Sequence, residues 1–319
     1  MNQLETARII LDRSKATFGE WLELHDQHIG GSDAGAVMGL SRYRTPLSVY
    51  VTKKGLLPHP GENQHMRWGK LLEDVIRREF PKDYAAKEGK GIEVFEDPNM
   101  YEHLQHPFMC CDPDGFVKIE GQGLGLLEIK TTTGRQRKEW ADDQVPDDCF
   151  AQVQHSLSVT ELNYALVVVL MDKSLFWRMV PERVGFTDDM VRMEKAFWRN
   201  YVEQGIMPAP SGLDIDFDIL KDLYPQAEDV TVDLTGSVDA SRYIQISAEV
   251  KGLEVEKALL AQRIMAAMGK SYRAVAGDNK ITWSRSEMTR FDTTAFRRDH
   301  PRIAEKYAKV IPLSRLYVS

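Results

Sequence analysis

Cys111-Asp112-Pro113-Asp114-Gly115 and, further along, Leu126-Leu127-Glu128-Ile129-Lys130 are the two runs whose reading decides the fold. Between them, residues 116–119 and 124–129 are short, apolar and strand-like, and Gly121-Gln122-Gly123 separates them, so a hairpin is the economical reading. With the turn centred on Gly121-Gln122, Glu128 stands opposite Gly115 and Asp114 is one step away. Glu128 and Lys130, two apart on a strand, project from the same face. Two carboxylates and an ammonium therefore meet at the mouth of the hairpin. An acid-x-Lys pair on a strand by itself usually marks a solvated face. Here its neighbours Phe116, Val117, Leu126, Leu127 and Ile129 are apolar, and charges among such side chains are costly unless paired or metal-bound.

Hard divalent cations take oxygen ligands, and magnesium typically uses one or two carboxylates while keeping positions for water and a substrate phosphate. Such a metal would activate water and neutralise charge as a phosphodiester is attacked. Lys130 could orient or deprotonate the attacking water, or stabilise the developing negative charge. Ile129 would offer only its carbonyl oxygen.

Outward from this centre, residues 18–25 read as a short helix, followed by the turn Ile29-Gly30-Gly31-Ser32-Asp33. Ser32 or Asp33 can cap a small-residue helix running to about Met38. Thr45-Pro46 starts a helix to Lys54, and 63–80 is a longer one with Met66, Leu72, Ile76 and Phe80 on one face. Residues 92–95 and 108–111 look like strands, 148–160 like a helix, 164–170 and 176–180 like strands, and 188–204 like a helix ended by Gly205 and Pro208. A distinct C-terminal module follows: a helix over 247–268, a hairpin of 272–276 and 280–283 around Gly277-Asp278-Asn279, then a locally basic end with eight bases against four acids over 285–315.

The 319 residues, 43% hydrophobic, suffice for a full core. The longest apolar run, 165–171, is far too short to span a bilayer, and residues 1–20 lack the apolar stretch of a signal peptide. A cytoplasmic protein without membrane association is expected. Three cysteines, two of them adjacent (Cys110, Cys111), give neither a disulfide framework nor zinc spacing, and are expected in the core. A net charge of −7 looks wrong for a protein that grips phosphate. Residues 211–240, however, carry eight acids and one base, so the remainder holds 48 − 8 = 40 acids and 41 − 1 = 40 bases. The expected domains are a core over 1–210, an acidic solvated linker over 211–240, and the helix-and-hairpin module over 241–319.

Pro113-Asp114, thirteen residues, then Glu128-Ile129-Lys130 resembles the PD-(D/E)xK nuclease signature. Further blocks, Ile29 to Ala34, Trp68 to Glu73, Cys111 to Gly115 and Ala151 to Thr160, are similar in order to the lambda-exonuclease or YqaJ-type viral recombinase branch. The resemblance covers roughly 18–205. It implies an α/β (α+β) restriction-endonuclease-like core, a central mixed sheet flanked by helices. It implies Asp114 and Glu128 as metal ligands, Lys130 as catalytic lysine, Glu73 as a helical glutamate holding a second ion, and Gln154 as a contact to the lysine or attacking water. It places Ser32 near a terminal 5′ phosphate, where a glycine turn into a helix offers free N–H groups. Two Mg2+ ions are implied, with Mn2+ able to substitute. The implied activity is 5′→3′ digestion of double-stranded DNA ends to mononucleotides, leaving 3′ overhangs for phage recombination by strand annealing. A homotrimeric ring and a strand-annealing recombinase partner are also implied. One departure stands out: where the family often has an arginine before the Gly-Gly-Ser turn, this chain has His25, Asp26, Gln27 and His28. Either a histidine substitutes, or Arg42 or Arg44 reaches in from the next loop. Arg135 and Arg137 follow the catalytic strand and could track a phosphate backbone. The rival readings are an endonuclease or a CRISPR- or repair-type nuclease on the same core, and a catalytically silent DNA-end binding or annealing scaffold.

Overall fold

A computed structural model describes residues 4, 6–59, 61, 63–226, 228–309 and 314–318. The chain forms two compact units, Met1–Gln226 and Ala227–Ser319. The first contains, in order, β1 (Ala7–Asp12), α1 (Phe18–Asp26), α2 (Gly31–Val37), α3 (Pro46–Lys53), α4 (Gln64–Glu88), β2 (Ile92–Phe95), β3 (Asn99–His103), β4 (Cys110–Cys111), β5 (Gly115–Ile119), β6 (Gly123–Thr132), α5 (Asp147–Thr160), β7 (Tyr164–Met171), β8 (Ser174–Pro181), α6 (Val184–Phe197) and α7 (Asp214–Leu223). A 3₁₀ turn, Gly134–Trp140, follows β6, and α6 continues into a π-helical turn, Trp198–Glu203.

Five strands in the order β2-β5-β6-β7-β8 form the central sheet. It is mixed: β6 and β7 are parallel, and every other pairing is antiparallel. The parallel pair requires a crossover, and α5 supplies it. Side-chain alternation sends the two faces of β6 and β7 into different cores. Leu126, Val167 and Val169 join Leu157 and Val153 of α5 on one side. Leu127, Ile129, Leu166 and Val168 join Ile76, Phe80 and Tyr84 of α4 on the other. Glu128 and Lys130 share the parity of Leu126 and so belong to the α5 face. Each fully buried aliphatic side chain here contributes about 1.5–3 kcal/mol relative to exposure. The expected α/β architecture, a central mixed sheet flanked by helices, is what the chain forms.

Several elements depart from the expected ones. The hairpin register is Gly115↔Leu127, so Glu128 is not opposite Gly115 but one step beyond that pair. A second sheet, β1-β3-β4, joins the expected strand within 108–111 to two strands that were not foreseen, β1 and β3. Its middle strand, Asn99-Met100-Tyr101-Glu102-His103, is largely polar, yet four of its five residues are buried, with Glu102 paired with Arg8 at 2.8 Å and 3.1 Å from His28 Nε2. Helix α4 runs on through Pro81 to Glu88, because Phe80 and Tyr84 pack against each other and against Trp177 and hold the helix past the break. The expected acidic linker is not uniform: α7 lies within it. Buried Asp216 accepts from Thr45 Oγ1 (2.5 Å), and from the Ser211 N–H (2.6 Å) and hydroxyl (2.7 Å).

The second unit has α8 (Val238–Met268), the hairpin β9 (Arg273–Ala276) and β10 (Asn279–Thr282), then α9 (Thr293–Asp299) and α10 (Pro301–Tyr307). Helix α8 begins at Val238, capped by Ser237, rather than at 247. Arg285 lies over the Trp283 ring, 3.7 Å from its centroid. Among the described residues no helix is long and apolar enough to cross a membrane.

Candidate active site

The start of β5 is fixed by Gly115. Its φ is +156°, and a Cβ there would lie 2.5 Å from the Phe95 carbonyl oxygen on β2, so a larger residue would push the two strands apart. The preceding loop is tied down from three directions. Arg13 donates to the Pro113 and Asp97 carbonyls, both at 3.0 Å. Trp21 Nε1–H donates to Asp112 at 3.0 Å, and Arg77 Nε–H on α4 donates to the Asp114 carbonyl at 3.1 Å. Asp114 is thereby aimed at β6, where its Oδ2 accepts from the Ile129 N–H at 2.6 Å.

On β6, Glu128 and Lys130 meet as their spacing requires. Lys130 Nζ is 2.7 Å from Glu128 Oε1. A third side chain closes the triangle: Gln152 of α5 donates from Nε2 to Glu128 Oε1 at 2.7 Å, and its Oε1 accepts from Lys130 Nζ at 2.8 Å. Glu128 is 7% exposed, so its charge depends on these partners.

Gln154, the glutamine expected to contact the lysine, points elsewhere. It is fully buried, accepts from the Arg183 N–H at 2.7 Å and donates to the Pro181 carbonyl at 2.9 Å, fastening the end of β8 to α5. Two residues on a helix lie about 200° apart, so only one of the pair can face Lys130. Helical phase was the available signal, since Gln152 shares its side of α5 with Cys149 and Ser156.

The electrostatics follow from crowded carboxylates. Burial, then Glu128, then Glu73 push the Asp114 carboxyl well above the ordinary range. Glu73, half-buried on α4, is also raised, first by burial; Glu128 and Asp74 add to this, while Arg77 and Arg13 oppose it. Burial disfavours the Lys130 ammonium, yet Glu128 and Asp114 outweigh it and hold that ammonium charged above its ordinary value. Glu73, Asp114 and Glu128 thus share one electrostatic neighbourhood. Among the described residues no three His, Cys, Asp or Glu side chains form a ready-made metal cage; Glu128 faces Lys130, and Asp114 faces a backbone N–H. The donor set still fits a hard cation, because carboxylates that raise one another's pKa are relieved by positive charge. Cys110, Cys111 and Cys149 are buried, and burial pushes the Cys149 thiol up to about 12, which suits core residues and not ligands.

The residues considered for phosphate binding divide into two groups. Gly31 packs on α5 so closely that a Cβ would lie 3.2 Å from Gln152 Cγ, which sets the Gly30-Gly31-Ser32 turn beside the Glu128–Lys130–Gln152 triangle. Ser32 is exposed and is not the cap: Gly30 occupies that place and Asp33 accepts from its N–H at 3.1 Å. Fully buried Asp33 is paired with Lys53 (2.7 Å) and Arg44 (2.6 Å), with His25 Nε2 at 3.8 Å. Burial opposes its charge, but Lys53, Arg44 and His25 hold it well below the carboxylate range. Arg44 and His25 are therefore committed to Asp33, and sequence gave no hint of Lys53. Arg42 pairs with Glu139. Arg135 and Arg137 are exposed on the 3₁₀ turn after β6.

With this geometry in view, comparison with known proteins is informative. Residues 20–163 match the YqaJ-like viral recombinase domain, and the resemblance seen in the motifs holds. The chain is 27% identical over 310 residues, 95% of its length and 94% of the relative's, to YqaJ of Bacillus subtilis (strain 168), an uncharacterised protein. It is similar to an alkaline exonuclease from Laribacter hongkongensis (TM-score 0.46, 18% identity, 63% of this chain and 99% of the other). It is also similar to a phage-related exonuclease from Haemophilus somnus 129PT (TM-score 0.41, 10% identity, 58% and 98%).

Proposed function

We propose that this chain, with its YqaJ-like viral recombinase domain, is a magnesium-dependent nuclease that digests double-stranded DNA from 5′ ends, releasing mononucleotides and leaving 3′ overhangs for strand annealing. The observation that carries this reading is the closed Glu128–Lys130–Gln152 triangle, with Asp114 and Glu73 in the same electrostatic neighbourhood. Glu73, Asp114, Glu128 and the Ile129 carbonyl would hold the ions. Bound there, magnesium would supply a water of lowered pKa and neutralise charge on the phosphodiester.

Lys130 does the rest of the electrostatic work. Without metal its ammonium is held above its ordinary pKa by Glu128 and Asp114, and in that state it donates hydrogen bonds. It orients the attacking water or stabilises the phosphoryl oxygens as negative charge grows. Gln152 fixes the rotamers of both Glu128 and Lys130. The Gly30-Gly31-Ser32 turn, which lies against Gln152, would receive the terminal phosphate. The same reading includes a homotrimeric ring and a strand-annealing partner, supported by the resemblance to recombinases. A ring also suits a core that is acidic in bulk, with 25 bases against 32 acids over 1–210, since only the lumen need be positive.

The test is digestion of end-labelled linear duplexes, with and without 5′ phosphate, beside a covalently closed circle, in magnesium. Loss of label from the 5′ end with an intact circle is expected. A cut circle would replace the exonuclease by an endonuclease on the same core, and an untouched linear duplex would leave an end-binding scaffold.

A further inference from the structure

Helix α8 is an apolar element of 31 residues with almost no cover. Val250 is 46% exposed, Leu253 63%, Leu260 48% and Ile264 40%. A helix this apolar is normally buried. Eight positions at an alternating 3-4 spacing, seven of them apolar, give the seam of a two-helix coil. One set of positions is Tyr243, Val250, Lys257 and Ile264, and the other is Ile246, Leu253, Leu260 and Ala267. Ile244, Val255, Leu259 and Met265 fall outside it. We propose that α8 pairs with α8 of a second copy of this chain, in antiparallel orientation.

Size and charge choose both the occupant and the direction. A parallel, in-register pair would stack Lys257 on Lys257 and Tyr243 on Tyr243, and would set Glu249 against Glu254. The antiparallel pair sets Tyr243 against Ala267, Val250 against Leu260, and Ile246 against Ile264. Lys257 then lies against Leu253, next to Glu254 and Glu256 of the second copy, and the two Lys257 ammoniums offset the Glu254–Glu254 and Glu256–Glu256 pairs that the two-fold brings together. Flanking the seam, Glu249 meets Arg263 twice by symmetry. Within its own chain Glu249 accepts from Gln245 at 2.8 Å and lies 3.5 Å from Arg242, contacts that turn its carboxylate along the helix without burying it. A self-complementary patch of this kind closes as a two-fold dimer.

Light scattering after size exclusion, on the full chain, tests this. Whatever assembly the first unit makes, the wild-type mass should be twice that of Leu253→Glu/Leu260→Glu. Glu249→Arg and Arg263→Glu, each alone, should weaken pairing by roughly tenfold or more through like-charge contact, and the double reversal should restore it. Equal masses for wild type and Leu253→Glu/Leu260→Glu at micromolar concentrations would overturn the self-pairing. A halved mass without rescue by the double reversal would overturn the antiparallel arrangement.

Discussion

Lys130 is bracketed by Glu128 and Gln152 at 2.7 and 2.8 Å, a spacing that fixes its ammonium while leaving part of it open to a substrate. Replacing it with alanine should lower digestion by about 10²–10³-fold, the scale of losing one preorganised donor, while DNA-end binding measured by anisotropy persists. The two glutamines of α5 should separate cleanly. Gln152→Ala should reduce the rate with little change in melting temperature. Gln154→Ala should instead destabilise by about 1 kcal/mol or more, since it removes two part-buried hydrogen bonds, to the Arg183 N–H and the Pro181 carbonyl, from a fully buried side chain. The raised Asp114 carboxyl means that a folded molecule without metal keeps a proton the unfolded chain has released. Its stability should therefore rise on mild acidification above the ordinary carboxylate range, and the magnesium-induced gain in Tm should shrink over that window, because cation and proton compete. Asp114→Asn should abolish that gain in a thermal-shift titration. At this scale the acid-acid-lysine constellation was legible because strand alternation fixes which side chains converge. The choice of glutamine turned on helical phase: Gln152 and Gln154 lie on opposite sides of α5, and which side faces β6 is fixed by the packing of α5 on the sheet. Lys53 was not legible, since its burial follows from a partner, Asp33, twenty positions earlier in sequence.

Strand β6 carries Glu128 and Lys130 of the proposed centre, and its seating depends on Gly125, where a Cβ would overlap the Tyr164 ring. Gly125→Ala should cost about 1–3 kcal/mol by overpacking, read as a lowered denaturation midpoint with unchanged slope. A neutral result would mean that β6 and β7 can separate at no cost. Helix α7 depends on buried Asp216 and its bonds to Thr45 and Ser211. Asp216→Ala should free α7, detectable as new proteolytic cleavage within 214–223. Most helices and the strands of the central sheet announced themselves through caps and apolar runs, such as Thr45-Pro46 and residues 164–171. Strands β1 and β3 did not, because the buried β3 is built on the Glu102 contacts with Arg8 and His28 and not on alternation. The length of α4 did not either, because packing around Phe80 outweighs Pro81.

For the molecule as a whole, residues 211–240 carry a net −7, residues 1–210 another −7, and residues 241–319 a net +7. That imbalance was visible in composition, whereas the docking of α7 inside the acidic stretch required tertiary contacts. Division at Gln226 predicts that limited proteolysis cuts first over 228–237, and that the Met1–Gln226 fragment retains digestion. The central claim is that Glu73, Asp114, Glu128 and Lys130 form one phosphodiester-cleaving centre that works with magnesium. Release of nucleotides from a 5′-labelled linear duplex, compared for wild type and Lys130→Ala in magnesium and in chelator, tests it most directly. Rapid release by wild type in magnesium alone, and near-silence in the other three reactions, is the expected outcome. Undiminished release by Lys130→Ala, or by wild type in chelator, would contradict the account.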